Sequence, residues 1–131
     1  MAQNKGFRRA DRVAERLRTE LMDLLLRGGL RDPNAQGVVV SAVKMTDDLG
    51  IARVYVRVLD EVGPDEQERV VDALDRATGF LRRELGQRMQ LRHVPALEFY
   101  WDEVVDSALR IEAILDEIRD DGGPSDSEGS A

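Results

Sequence analysis

Residues 51–59, Ile51-Ala-Arg-Val-Tyr-Val-Arg-Val-Leu59, alternate apolar and polar with a period of two. Successive side chains on an extended chain point to opposite sides. Val54, Val56 and Val58 therefore share one face, and Arg53, Tyr55 and Arg57 share the other. A strand of this kind belongs to a sheet that is covered on one side only. Just upstream, residues 37–45, Gly37-Val-Val-Val-Ser-Ala-Val-Lys-Met45, are β-branched, and Thr46-Asp-Asp-Leu-Gly50 between the two runs is a turn sequence. The two runs predict an antiparallel hairpin with one buried face.

Working outward, Gly63-Pro64-Asp65 ends the second strand and suits the first positions of a helix. Residues 66–89 then carry Val70, Leu74, Ala77, Leu81 and Leu85 at three- and four-residue spacing, one apolar face interrupted by Gly79. Glycine inside a helix costs about 1 kcal/mol relative to alanine. Two helices meeting at an angle near Gly79 are predicted. After Pro95, residues 96–101 alternate again, with Leu97, Phe99 and Trp101 against Ala96, Glu98 and Tyr100, and predict a third strand.

Upstream of the hairpin, Ala10, Val13, Ala14, Leu17, Leu21, Leu24 and Leu25 predict a helix over 6–27. Arg8, Arg12 and Arg16 repeat every four residues on another face. Gly28-Gly29 stops the helix, and Arg31-Asp32-Pro33-Asn34 forms a loop. At the other end, Val104, Ala108, Ile111, Leu115 and Ile118 predict a final helix over 103–119 with a core-facing stripe, and Asp102 is placed to cap it. Asp120 to Ala131 is Gly, Ser, Pro and acid. It cannot bury enough apolar surface to offset its ordering entropy, so it is expected to be a disordered tail beyond a single 1–119 domain. The class is α+β, in the order α-β-β-α-kink-α-β plus a C-terminal helix. Its small three-stranded sheet is covered by helices. Without the last helix, that is the order of a type II KH domain.

Composition narrows the chemistry. The chain has 131 residues and no cysteine, which excludes disulfides and thiolate zinc sites. A domain of this size buries about two-thirds of its unfolded surface and needs no such staple. Neither a secretory h-region nor an apolar run of membrane-spanning length is present, which predicts a cytoplasmic protein. Net charge is −7, but it is unevenly placed: residues 1–31 and 76–97 each carry +4, while 32–75 carry −6 and 98–131 carry −9. Surface charges are screened over about 8–10 Å at physiological salt. A ligand on a local basic face therefore responds to that face. Two basic segments in an acidic chain suit a one-sided anion-binding surface, although solvated helix faces would give the same pattern.

Several stretches, taken in order, resemble the bacterial ribosome-binding factor A family. They are Arg9-Ala-Asp-Arg-Val-Ala14, Asp32-Pro33, Asp47-Asp48-Leu49, Ala52-Arg-Val-Tyr-Val56, Ala77-Thr-Gly-Phe-Leu-Arg82, Leu91-Arg92 with Pro95, Phe99-Tyr-Trp-Asp102, and Arg110-Ile111 with Ile114-Leu115. No one piece is specific; the ordered set over residues 8–119 is. The resemblance implies a KH-like fold in which an Ala-x-Gly kink, here Ala77-Thr78-Gly79, replaces the usual Gly-x-x-Gly loop. It implies binding to the immature small (30S) ribosomal subunit and its 16S rRNA, help in maturing the 5′ end region of that RNA, and support of growth in the cold. It also implies release linked to an assembly GTPase. The expected protein is a monomer without catalysis, cofactor or metal. The acidity and the Gly/Ser/Asp tail depart from family habit.

A KH domain clamps phosphates with its Gly-x-x-Gly loop, which is missing here. The remaining donors are Arg8, Arg9, Arg12 and Arg16 in the first helix and Arg76, Arg82, Arg83, Arg88 and Arg92 around the second helical pair. A guanidinium fork can donate two hydrogen bonds to one phosphate, so backbone-directed binding of structured RNA is the expectation. His93 is the only histidine and reads as a loop residue without a chemical role. Asp47-Asp48 reads as a turn, and Tyr55 as a cross-strand packing residue rather than a base-stacking one. Other readings are a generic KH-type RNA-binding module and an acidic protein-binding adaptor, with a hydrolase using Asp47, Asp48 and His93 last.

Overall fold

A computed structural model describes residues 8–27, 29–104, 111–112 and 114–118. The chain divides into two compact units, Met1–Trp101 and Asp102–Ala131. The first runs α1 (Arg9–Leu26), a short 3-10 turn (Pro33–Ala35), β1 (Val38–Met45), β2 (Ile51–Val58), α2 (Pro64–Arg76), α3 (Thr78–Met89) and β3 (Ala96–Trp101). This is the expected α+β order.

β2 is the middle strand, antiparallel to β1 and parallel to β3. The tight turn between β1 and β2 gives the antiparallel pair. A parallel neighbour needs a long crossover, which α2 and α3 supply. Ala52, Val54 and Val56 on β2 are fully buried, with Leu97 and Phe99 of β3 beside them. Onto that face pack Leu17, Leu21 and Leu24 of α1, Val70 and Leu74 of α2, and Leu81, Leu85 and Met89 of α3.

The hairpin register holds a feature that the alternation did not foretell. Val38 and Val40 stand opposite Val58 and Val56, but the ladder skips Ser41, so that Ala42 faces Tyr55, Val43 faces Val54 and Met45 faces Ala52. Without the skip, even-numbered Val38 and Val40 and odd-numbered Val43 and Met45 would point to opposite faces. With it, all four turn toward the core. The Ser41 hydroxyl donates to the Tyr55 carbonyl at 3.1 Å, holding the bulge to β2.

The predicted break between two helices is present, and the residue between them is Ala77, the first of the expected Ala77-Thr78-Gly79 kink. Ala77 has φ −92° and ψ 5°, and its N–H is shared between the carbonyls of Ala73 and Leu74, at 3.2 and 3.0 Å. Leu81 N–H then starts α3 by donating to Ala77 O at 2.9 Å. Gly79 lies inside the first turn of α3 without a positive φ. The apolar face is continuous across the break because Leu74 and Leu81 are both fully buried.

In the second unit, each described residue from Glu103 to Ile118 is helical. Its expected core stripe is corrected here: Val104, Ile111, Ile114, Leu115 and Ile118 are all exposed. Helical periodicity marks an apolar face but does not supply a surface to cover it. Ala108 of that stripe and the expected tail, 120–131, lie outside the described residues.

Candidate nucleic-acid interface

The fold brings the two basic segments together. Arg88, near the end of α3, places Nη1 at 2.8 Å from Asp23 Oδ2 and 3.5 Å from Glu20 Oε1, both on α1. Arg16 of α1 returns a bond, its Nη2 donating to the Arg88 carbonyl at 3.4 Å. Arg88, foremost, and then Arg27 hold the Asp23 carboxyl below the usual carboxylate range. Residues far apart in sequence thus share one side of the first unit.

The nine candidate arginines are not equivalent. Arg16 and Arg88 are part of that α1–α3 clasp. Arg76 binds Asp32 at 2.8 Å, tying the end of α2 to the short turn after α1, and with the Asn34 N–H it lowers the Asp32 pKa. Arg8 sits 3.4 Å from Asp47 in an exposed pair. Arg9 and Arg12 are exposed on α1. Arg82 donates from Nε to the Pro95 carbonyl at 3.0 Å and from Nη2 to the Val94 carbonyl at 2.7 Å. Arg83 and Arg92 are exposed, and among the described residues no acid pairs with either.

Gly79, Arg82, Arg83, Arg92, His93 and Val94 line a shallow, wide-open depression between the first turn of α3 and the loop before β3. A side-chain carbon added at Gly79 would meet nothing within 4 Å. The loop is fixed at several points. Gln90 ends α3 in the left-handed conformation, and Leu91 N–H donates to Gly86 O at 3.1 Å. Val94 fills the place of a Gly86 side chain, since a Cβ there would lie 2.8 Å from Val94 Cγ2. Arg82 holds the next two carbonyls. Sequence reasoning selected the arginines of this depression but missed His93 as a wall and Gly86 as the seat of the loop. Neither carries a local signal.

The sheet face that bears Tyr55 and Tyr100 is differently built. Tyr55 and Tyr100 stack across strands, ring centres 5.6 Å apart and 27° between planes. Arg53 pairs with Glu98 at 3.3 Å, and Glu98 also accepts the Tyr100 hydroxyl at 2.8 Å, which raises the Tyr100 pKa. The cross-strand reading of Tyr55 is the observed one. Asp48 accepts from the Thr46 hydroxyl at 2.7 Å and from Gly50 N–H at 2.9 Å, so it caps the turn. Among the described residues no three His, Cys, Asp or Glu side chains are grouped to hold a metal ion, and no helix is long and apolar enough to cross a membrane.

The chain is similar over residues 9–115 to the family described as ribosome-binding factor A. A ribosome-binding factor A from Sorangium cellulosum is 47% identical over 116 residues, 86% of this chain and 90% of that protein. One from Desulfatibacillum aliphaticivorans is 42% identical over 123 residues, 94% of each. Among solved structures, the crystal structure of ribosome-binding factor A from Thermus thermophilus aligns with a TM-score of 0.61 and 28% identity, covering 70% of this chain and 93% of that one. A Thermotoga maritima relative solved by NMR aligns with a TM-score of 0.55 and 33% identity, covering 72% and 91%.

Proposed function

The chain belongs to the ribosome-binding factor A family, and from that premise we propose that it binds the immature small ribosomal subunit through its α1–α3 side. The binding is to the 16S rRNA backbone, read by charge and shape rather than by base sequence. The protein acts as an assembly factor: it assists maturation of the 16S rRNA, including the 5′ end region, and supports growth in the cold. It is a monomer of the cytoplasm that performs no catalysis itself and leaves the subunit with the help of an assembly GTPase. Residues 120–131 are a dispensable tail on the 1–119 domain.

The observation that carries this reading is the clasp of Arg88 and Arg16 between α1 and α3. It joins α1, which carries Arg9, Arg12 and Arg16, to α3, which carries Arg82, Arg83 and Arg88. An ion-paired guanidinium still has N–H groups to spare, because each carries five donors. A basic side on a chain of net charge −7 favours oriented approach to RNA over indiscriminate adhesion. The test is sedimentation of the tagged protein from cell extract. Co-migration with free or immature small subunits is the expected result. Migration with diverse RNA outside ribosomal particles, or with no RNA at all, overturns the reading.

A further inference from the structure

The depression beside Gly79 combines three properties. Two guanidiniums without acidic partners among the described residues, Arg83 and Arg92, line it. Its floor at Gly79 is bare backbone, with open space where a side chain would stand. Its far wall, the 90–95 loop, is held by hydrogen bonds and by the close fit of Val94 over Gly86, and so is preorganised. A shallow, cationic depression with a backbone floor and a hydrogen-bonded wall fits a small anion that arrives on a chain.

We propose that this hollow seats one phosphodiester of RNA, with Arg83 and Arg92 donating to its oxygens and Arg82 acting through the loop. Arg82 is a positioning residue. Two of its nitrogens are committed to the Val94 and Pro95 carbonyls, so its task is to hold Arg92 and His93 in place. The inference rests on the RNA-binding reading above and names the group bound at one point of that surface. It also separates two adjacent arginines, Arg82 and Arg83, into different roles.

The test uses the full chain, small ribosomal subunits in a salt series, and a short hairpin RNA followed by the amide resonances of Gly79, Arg83 and Arg92. Arg83→Gln and Arg92→Gln should each weaken subunit binding by roughly tenfold, as expected for loss of a charge-assisted hydrogen bond. Because they share one phosphate, the double variant should flatten the log–log salt slope by only about 0.7–0.9, the contribution of a single phosphate. Gly79→Leu should weaken binding by filling the seat, without removing a charge. Arg82→Gln should weaken it in the parent and add nothing in the Arg92→Gln background. Circular dichroism melts identify any variant that fails to fold, and the resonance shifts of the parent with hairpin RNA do not depend on any variant.

Slope losses that add to two phosphates in the double variant, or an Arg82→Gln effect that persists without Arg92, overturn the single seat and the strut. Hairpin RNA that leaves the Gly79, Arg83 and Arg92 amides unmoved overturns the site itself. If the parent ignores small subunits while hairpin RNA moves those amides, the assembly-factor reading falls and the phosphate seat stands.

Discussion

Arg88 Nη1 on α3 lies 2.8 Å from Asp23 Oδ2 on α1, and this pair fastens together the two helices that carry the basic side. Asp23→Asn should lower the melting temperature by a small amount, since both side chains are partly exposed and such pairs contribute little. The pH dependence has a definite sign. The Asp23 pKa is depressed in the folded chain, first by Arg88 and then by Arg27. Its stabilisation is therefore present above the ordinary carboxylate pKa of about 3.9 and is lost as pH falls through the folded value. The gap between parent and Asp23→Asn should be open at neutral pH and close in acid. A gap of constant size from neutral pH into acid would refute the assignment.

Two glycines should respond in opposite ways to alanine. Gly79→Ala should leave stability unchanged or raise it by about 0.4–1 kcal/mol, because no positive φ is required and the added carbon meets open space. Gly37→Ala should cost about 1–2 kcal/mol, because Gly37 has a φ of 73°. Urea unfolding measures both. A Gly79→Ala chain that fails to fold would show that the position serves the fold rather than the depression.

Reversing Arg53 and Arg57 to Glu tests whether RNA crosses the open sheet face. Arg53 is already paired with Glu98 and Tyr55 is stacked on Tyr100, while the Arg57 Nε is buried without a hydrogen-bond partner among the described residues, so little of this face is free to grip a phosphate. Subunit binding over a salt series should fall less than for the equivalent Arg83 and Arg92 reversals. A larger fall would place the RNA across the sheet.

A chain ending at Arg119 should melt at the same temperature as the full chain, because residues 120–131 offer no apolar side chain other than Ala131. Differential scanning calorimetry decides it. A loss of several degrees means that the tail packs against something.

Much of the fold could be read from periodicity, because burial on one side imposes it. The stripe of α1, the alternation of β2 and β3 and the shared face of α2 and α3 all lie where the spacing put them. β1 was harder, since Val39, Val40 and Val43 place apolar residues on both parities, and a sequence with that pattern does not show where its register slips. Within the expected Ala77-Thr78-Gly79 kink, the residue that leaves the helical ladder is Ala77 and not Gly79, the residue of weaker propensity.

The candidate site was legible in composition and not in role. Arg82 and Arg83 are adjacent and identical in chemistry. What divides them is a pair of carbonyls, Val94 and Pro95, 12 and 13 residues further on. Reversing both to Glu, an obvious test on sequence grounds, would cut the loop's tether along with any RNA contact. Arg83 with Arg92 is the cleaner pair.

The skip at Ser41 means that β1 is one residue longer than its ladder with β2 consumes. Removing a residue from a half-buried strand ordinarily turns everything beyond the cut inside out. Here there is slack to take up. Deleting Ser41 would leave Val40 followed directly by Ala42, and the pairs Val40 with Val56 and Ala42 with Tyr55 would become consecutive rungs. The bulged strand is therefore a place where this fold can be shortened without rebuilding its core.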